Sequence, residues 1–405
     1  MFDQVTNVLK KAIQLPKHGI DLLADTYESN KYEKSSTKRW NKLSFSEITL
    51  QDLQRKLADN KQVPTPLTQA NRALVKEIET KTHKLNRNNV TRTKAYLDFY
   101  QKHPEIHWAF LAHLVSRNGG WNMTDLKGSM LPKIISSTSC NDFFSFLERA
   151  NALIFHDAYP QLLLYEASKQ KGRNLFYLLP KFHVSTFMRT FWDYFLERQD
   201  SQLLTVALII NEQNYIEKRV IHHPDYKEKV LDNILFKLQE LLQFTYVLFP
   251  YQVKPKKTRL AGTTVSDFAN VNQRVEIGKK LYCTLFGYEN LGNDIYQFAS
   301  TVPHTASRSD YWPEMFTKDS STTLQTVSIS CKPTKPIVYS PTLDQAWKDV
   351  DYSFTDRHDW FERNDQFLHY FKEITTPPSF DLSRQYCQDI NKMLAASTAA
   401  EMIKP

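Results

Sequence analysis

Three histidines, two tryptophans and a series of arginines and asparagines crowd residues 86–125, NRNNVTRTKAYLDFYQKHPEIHWAFLAHLVSRNGGWNMTD. Polar and aromatic groups at this density, on a stretch patterned as helix, are costly to bury unless they pair or bind something. HPEIH places His103 and His107 four apart, a separation that turns two imidazoles to one side of a helix, as zinc pairs require. Its glutamate stands at the wrong position for a metalloprotease pair, and Pro104 puts His103 at a helix boundary. His113 follows six residues after His107, about 240° further round, so no metal site is assigned. The turn SRNGGWNMTD offers anion chemistry instead. Gly119-Gly120 permit backbone shapes that leave amides free, with Arg117, Asn118, Trp121, Asn122 and Asp125 around them as candidate ligand-binding residues. The competing reading is a helix stop followed by an anchoring tryptophan.

Two further segments carry acid–base chemistry. In LERANALIFHDAYPQLLLYE, His156-Asp157 stand where one helix is expected to end, and Glu166 lies in the next segment. A histidine beside carboxylates can act as a general base, although a capping aspartate with a half-buried histidine explains the same residues. In LLTVALIINEQNYIEKRV the run from Leu203 to Ile210 is apolar on every side except Thr205, and Glu212 and Asn211 continue its buried stripes. A buried carboxylate needs a cation and hydrogen bonds or takes up a proton; Arg117, Arg149 or a histidine is the expected partner. Such a network is catalytic or specifies packing. The catalytic candidates are Glu212, His113, His156 and Glu166, and Asn211 joins the ligand-binding set. Neither GxSxG, GxGxxG nor a Walker-type lysine occurs, so serine hydrolysis and nucleotide binding have no motif support and no cofactor is assigned.

Helices must position these groups. Helical spacing is expected over residues 2–14, 20–27, 46–59 and 67–88, with Lys31–Lys42 a basic linker, and this quarter is expected to pack loosely. Thr91–Gln101 is amphipathic, and Pro104 opens a helix that Gly119-Gly120 stop. Asn141 or Ser139 caps a helix to about Asp157, and a separate segment runs from Pro160 to Gly172. Thr186–Arg198 and Leu203–Val220 follow, and then a long helix over Asp225–Phe249. PYQVKPKKTRLAG reads as an exposed basic loop and Val265–Phe286 as a helix closed by Gly287. Beyond residue 300, prolines and serines mark an extended tail. Short helices are expected near Leu343–Val350, His358–Phe371 and Leu382–Leu394, and Tyr311, Trp312 and Trp347 anchor the tail to the body.

Composition agrees with this architecture. Nine glycines in 405 residues are about a third of ordinary usage, too few for a protein built on tight hairpins. The expected fold is all-α, an irregular multi-helix bundle. It has a basic N-terminal region (1–88), a main helical domain (89–300) and a C-terminal region wrapping the body (301–405). The net charge of +8 is placed unevenly: residues 1–94 hold eighteen Lys and Arg against ten Asp and Glu, and the remainder is balanced. A basic segment can follow nucleic acid or anionic lipid; a solvated surface or an arm on the protein's own acidic patches explains it as well. Cys140, Cys283, Cys331 and Cys387 are far apart and read as scattered thiols of a reducing compartment. The start has no secretory pattern and the longest apolar run is far short of a bilayer span, so a cytoplasmic protein is expected.

NNVTRTKAYLDFYQKHPEIHWAFLAHLVSRNGGWNMTDLKG, DAYPQLLLYE, LIINEQNYIEKRV, GKKLYCTLF and PHTASRSDYWP together resemble the YppC-like family of Bacillus-type bacteria, a domain of unknown function. The likeness covers about residues 86–350 and departs from the family's PHTGSR pattern at Ala306. It implies a helical cytosolic bacterial protein and supplies no activity, substrate or site residue. Three readings stand. The first is a binding or scaffolding protein with a polar site between helices and an unknown protein or small-molecule partner. The second is a hydrolytic or metal-assisted enzyme using Glu212 and histidines. The third is a peripheral membrane or nucleic-acid binder acting through residues 1–94.

Overall fold

Strong local signals set most helix boundaries in the computed structural model, which describes residues 30–59, 67–231, 246–254, 257–265, 268–322, 336–362 and 365–403. Elements of eight residues or more are labelled. Thr68 caps α2 (Gln69–Leu85), which follows α1 (Glu47–Asp59). Asn88 and Thr91 close a capping box on α3 (Asn89–Lys102), each side chain accepting from the other's backbone amide. α4 is His107–Asp125 and α5 is Ser137–Lys171, the latter opened by the Ser136 hydroxyl and closed by Gly172. α6 (Thr186–Arg198, capped by Ser185) and α7 (Ser201–Ile216, capped by Asp200) come next, and α7 loosens into a π turn over Glu217–Ile221. A hairpin of β1 (Tyr246–Lys254) and β2 (Lys257–Thr264) precedes α8 (Val271–Phe286) and α9 (Glu289–Thr301). α10 (Ser383–Ile403) ends the described chain.

The fold is predominantly helical. α4 and α7 occupy its centre: α4 packs on α3, α5 and α7, and α7 packs on α5, α6 and α8. One core cluster runs from Leu43, Leu53 and Leu57 through α3–α8 to Phe361, Phe371 and Phe380. Residues near both ends are therefore drawn into the same interior. No helix among the described residues is long and apolar enough to cross a membrane.

Several expectations need correction. Gly119 and Gly120 do not stop a helix, because α4 continues through them to Asp125. Pro104 is not its first residue; the helix begins at His107, and Pro104 and Glu105 sit in the preceding turn. Pro160 does not separate two segments but lies inside the 35-residue α5. Burial along the helix outweighs the lost bond: having no amide hydrogen, Pro160 leaves the His156 carbonyl without its helical donor. The expected helix over 225–249 is replaced by a helical turn to Leu231 and then β1; residues 232–245 lie outside the described residues.

PYQVKPKKTRLAG is not an exposed loop. It forms most of the hairpin, with Tyr246 opposite Thr264 and Pro250 opposite Leu260, and Tyr251, Arg259, Leu260 and Ala261 are buried. The helix over Val265–Phe286 starts later, at Val271. Lys31–Lys42 is docked rather than free: Glu33 accepts from the Phe380 and Asp381 amides. Within residues 30–59 and 67–88 the expected loose packing is likewise corrected, since Leu43, Leu53, Leu57 and Ile78 are buried. Cys387 is disulfide-bonded, against the expectation of four separate thiols, and Cys140 and Cys283 are free and buried. The segments over 2–14 and 20–27 lie outside the described residues.

Both hairpin edges are covered, which prevents strand-to-strand association. On one side Asn118 of α4 donates to the Leu248 carbonyl (2.8 Å) and accepts from its amide (2.8 Å). On the other, the Phe380 carbonyl accepts from Gly262 (3.0 Å), and Leu382 donates to Leu260 (2.8 Å). Gly262 has φ 150, and a Cβ there would lie 1.9 Å from the Val247 carbonyl oxygen, so no side chain fits. Asn118→Ala leaves two buried backbone groups of Leu248 unpaired, each worth 1–3 kcal/mol. It is expected to destabilise by roughly 2–4 kcal/mol in urea unfolding. A loss below about 0.5 kcal/mol would contradict this role.

Candidate functional site

α4 carries most of the chemistry-bearing side chains, and its 19 residues distribute them over about 28 Å of length. Three separate clusters result. Near its start, Trp108 Nε1 donates to Glu212 Oε2 (3.1 Å) and Gln213 Nε2 donates to Oε1 (3.1 Å). Glu212 keeps part of its surface exposed, but its carboxyl is enclosed, and burial pushes its pKa up to about 8. Asp157 lies close enough to add repulsion, and is itself raised to about 7 by burial. Its Oδ2 accepts from Asn211 Nδ2 (2.6 Å) and Gln161 Nε2 (2.9 Å). Trp360 donates to Asn211 and Trp192 to Gln161, so indoles seal the layer. Among the described residues neither Arg117, Arg149 nor a histidine bonds to Glu212, and its raised pKa favours the protonated carboxyl near neutrality.

Midway along α4, His113 Nδ1 lies 2.8 Å from the Thr93 carbonyl, which places the proton on Nδ1. Burial, then nearby Arg117, lowers its pKa to about 3. Arg117 is buried, donates to the Val302 carbonyl (2.9 Å) and lies over the Phe298 ring. Gly120 is needed here for close approach. A Cβ would lie 2.3 Å from Asn89 Oδ1 and 2.7 Å from His304 Nε2, two atoms that hydrogen-bond each other (2.9 Å). The paired glycines therefore admit neighbours to a helix rather than free amides for an anion, and Trp121 packs on Tyr311 beside them.

At the end of α4, Asn122 and Asp125 receive Arg308. Its Nε donates to Asp125 Oδ2 (2.6 Å), Nη2 to Asn122 (3.2 Å), and Nη1 to the Tyr311 and Tyr386 hydroxyls. These groups are saturated by one another. Glu212 and the glycine pair do not share a site, because Trp108 and Gly120 are twelve residues, about 18 Å, apart along α4. His103 lies near Glu105 and Glu166, whereas His107 bonds the Tyr282 hydroxyl (2.8 Å) and stacks on Phe286. The two histidines do not share a ligand. Glu166 faces His103, Lys81 and Lys102; ten residues, about 15 Å of helix, separate it from His156.

His156 opens onto a solvent-reaching cavity of about 280 Å³ between α2, α5, the 3-10 turn Phe176–Phe182 and the chain around residues 351–357. His83, Lys181, His183 and Arg357 also line it, with Phe182, Tyr352 and Phe354 as aromatic wall. Pro160, inside α5, forms part of the floor one turn from His156. His183 ends the 3-10 turn in the left-handed region (φ 57), a conformation more often given to glycine or asparagine. Thr82 Oγ1 and His156 Nδ1 are buried at this cavity without a protein partner. Burial first, then His183, Arg357, His83 and Arg219, push the His156 pKa down to about 4.

A family model described as "Protein of unknown function (DUF2515)" matches residues 84–385. The chain belongs to that family. The DUF2515 match takes in α3 through the first residues of α10, and hence every cavity residue named above except Thr82 and His83. A Bacillus subtilis (strain 168) relative titled "Uncharacterized protein YppC" is 46% identical over 242 residues, 60% of this chain and 74% of its own length. No solved structure matches. The family resemblance in the sequence strings is thereby established.

Sequence reasoning missed His83, Lys181, His183 and Arg357 because they reach the cavity from segments far apart in the chain. It also missed Arg308 and His304, although both stand in PHTASRSDYWP; Asp125 and Asn122, which receive Arg308, and Asn89, which bonds His304, lie on α4 and α3, nearly two hundred or more residues away. Ala306 in that string adopts φ 67, where glycine sits without a steric penalty.

Proposed function

We propose that this DUF2515 protein is a non-catalytic binding protein and that its ligand is a small molecule seated in the His156 cavity. The observation that carries this reading is the contrast between the clusters. Asn118, Asn122, Asp125 and Asn211 are spent on internal partners, and Arg117 and Trp121 are enclosed in the core although Arg117 Nη1 and Trp121 Nε1 have no partner among the described residues, whereas the cavity that Thr82 and His156 line reaches solvent. Small-molecule sites combine apolar walls with a few convergent polar groups in this way. A cytoplasmic setting belongs to the same proposal and rests on the buried thiols of Cys140 and Cys283; the bonded Cys387 weighs against it.

The enzymatic reading needs two of Glu212, His107, His113 and His156 on one open surface. Glu212 bonds Trp108 indoors, His107 bonds Tyr282 and His113 bonds Thr93, so binding is the better-supported function. Charge placement alone supports contact between residues 1–94 and nucleic acid or anionic membrane.

A ligand-observed NMR screen of uncharged aromatic fragments tests the proposal. Hits are expected to compete with one another and to weaken in Phe354→Ala, whose ring packs on His156 at 4.6 Å. Unchanged hits in that variant, with its fold intact by circular dichroism, would place binding elsewhere and end the reading.

A further inference from the structure

We propose that the cavity recognises its ligand through a phosphate-class dianion, held by Arg357 and Lys181 together with His83, His156 and His183. This rests on the cavity being a ligand site and adds the chemistry of what enters it. Glu79 and Asp351 are the acidic side chains in the lining, against one arginine, one lysine and three histidines. Among the described residues none of those five basic side chains sits in an ion pair. Lys181 and Arg357 share the lining with Glu79 and Asp351 without pairing to them, and a multiply charged anion draws those two cations and the protonatable imidazoles to itself while accepting several hydrogen bonds. Thr82 Oγ1 and the imidazole of His156 are the unpartnered donors at the inner end. The ring of Phe354 against His156 gives apolar surface for the remainder of an esterified ligand.

The field at His156 comes from every element around it. α2 contributes His83 and Glu79, and the 3-10 turn contributes Lys181 and His183. The C-terminal chain adds Asp351 and Arg357, and the π turn after α7 adds Arg219. Basic groups outnumber acids only on the 3-10 turn, which carries Lys181 and His183; His83 is matched by Glu79, Arg357 by Asp351, and Arg219 by its ion pair with Asp356. With the cavity free of anion, burial and these cations keep His156 neutral, and Arg357 also lowers the His183 pKa after burial has done so. A dianion reverses the sign of that field, so the histidines regain protons as it binds. Binding of the dianion therefore takes up protons onto the protein, an uptake visible near pH 8 where the ligand itself is fully ionised, and weakens with salt.

Calorimetric titration of the full chain with inorganic pyrophosphate, inorganic phosphate and adenosine monophosphate tests this. One saturable site is expected for at least one probe, with net proton uptake near pH 8 read from the dependence of the binding heat on the buffer's ionisation enthalpy. Preference for the nucleotide over pyrophosphate would identify an ester whose ring uses the aromatic wall; the reverse would identify the inorganic anion. Lys181→Gln/Arg357→Gln alters two exposed side chains and is expected to weaken binding by at least about tenfold with an unchanged unfolding midpoint. Equal affinity in that variant, or binding near pH 8 without proton uptake, overturns the proposal. If none of the three probes binds while uncharged fragments still depend on Phe354, the anion claim fails alone. Failure of both assays removes the ligand reading as well.

Discussion

Asp125→Ala is expected to destabilise the protein by about 3–5 kcal/mol, the range for removing one partner of a buried ion pair. Arg308 is buried with four neighbours arranged around its guanidinium, and Asp125 is the carboxylate among them. Burial raises the Asp125 pKa despite the adjacent arginine, so the pair is already expensive to hold indoors. Truncation leaves the arginine's charge uncompensated, with only tyrosine hydroxyls and the Asn122 amide to receive it. Replacing both partners, as Asp125→Leu/Arg308→Met, removes the unpaired charge and is expected to recover much of the loss. Urea unfolding of the single and double variants measures both values. A single-variant loss below about 1 kcal/mol would mean that water reaches Arg308, reopening Asp125 and Asn122 as ligand-binding residues.

The second large effect is a stability maximum near pH 6.5. His107 and His156 are lowered to about 4 and His113 to about 3, and His304 is lowered well below its ordinary value, all chiefly by burial. For these groups the unfolded chain binds protons first, so their stabilising contribution is complete above the unfolded histidine value of about 6.5 and is lost as pH falls toward the folded values. Asp157 and Glu212 act in the opposite sense. Their folded pKa values, about 7 and about 8, exceed the unfolded ones. Their contribution is complete below about pH 4 and is lost as pH rises through the folded values. Asp125, Glu148 and Asp193 are raised by burial in the same sense as Asp157 and Glu212; just below pH 6.5 the four histidines outweigh Asp157 and Glu212, which gives a rising limb, and those two acids give a falling limb above it. The falling limb amounts to a few kcal/mol between about pH 6.5 and 8. Asp157→Asn/Glu212→Gln should flatten that limb and leave the acid limb intact. A wild-type profile flat from pH 6 to 8 would show that solvent reaches the two carboxyls.

The legible part of this molecule was its local part. Ser185 before Thr186, Gly287 after Phe286, and the apolar run from Leu203 to Ile210 each state a helix in neighbouring residues, and the structure follows them. Where burial overrides local preference, the sequence misleads. Gly119-Gly120 look like a stop, but on α4 the absent Cβ of Gly120 makes room for Asn89 and His304. Pro160 looks like a beginning, although α5 is buried along enough of its length to retain it. Pro250 stands in a strand whose neighbouring Leu248 finds its outward partner on Asn118, more than a hundred residues earlier. The same distinction governs the site. Glu212 was recognisable because a charge in an apolar stripe is conspicuous within four residues, whereas Arg357 and His83 meet only through the path of the chain.

Closed polar clusters along α4 stand apart from the open His156 cavity, and the histidine rings report that separation directly. In long-range proton–nitrogen spectra of ring-labelled protein, His113 and His304 should remain neutral between about pH 5 and 8 and show no response to pyrophosphate. His156 and His183 should move on addition of the anion and gain protons as it saturates. Movement of His113 or His304 with the anion, or an unresponsive His156 at saturation, would contradict the account.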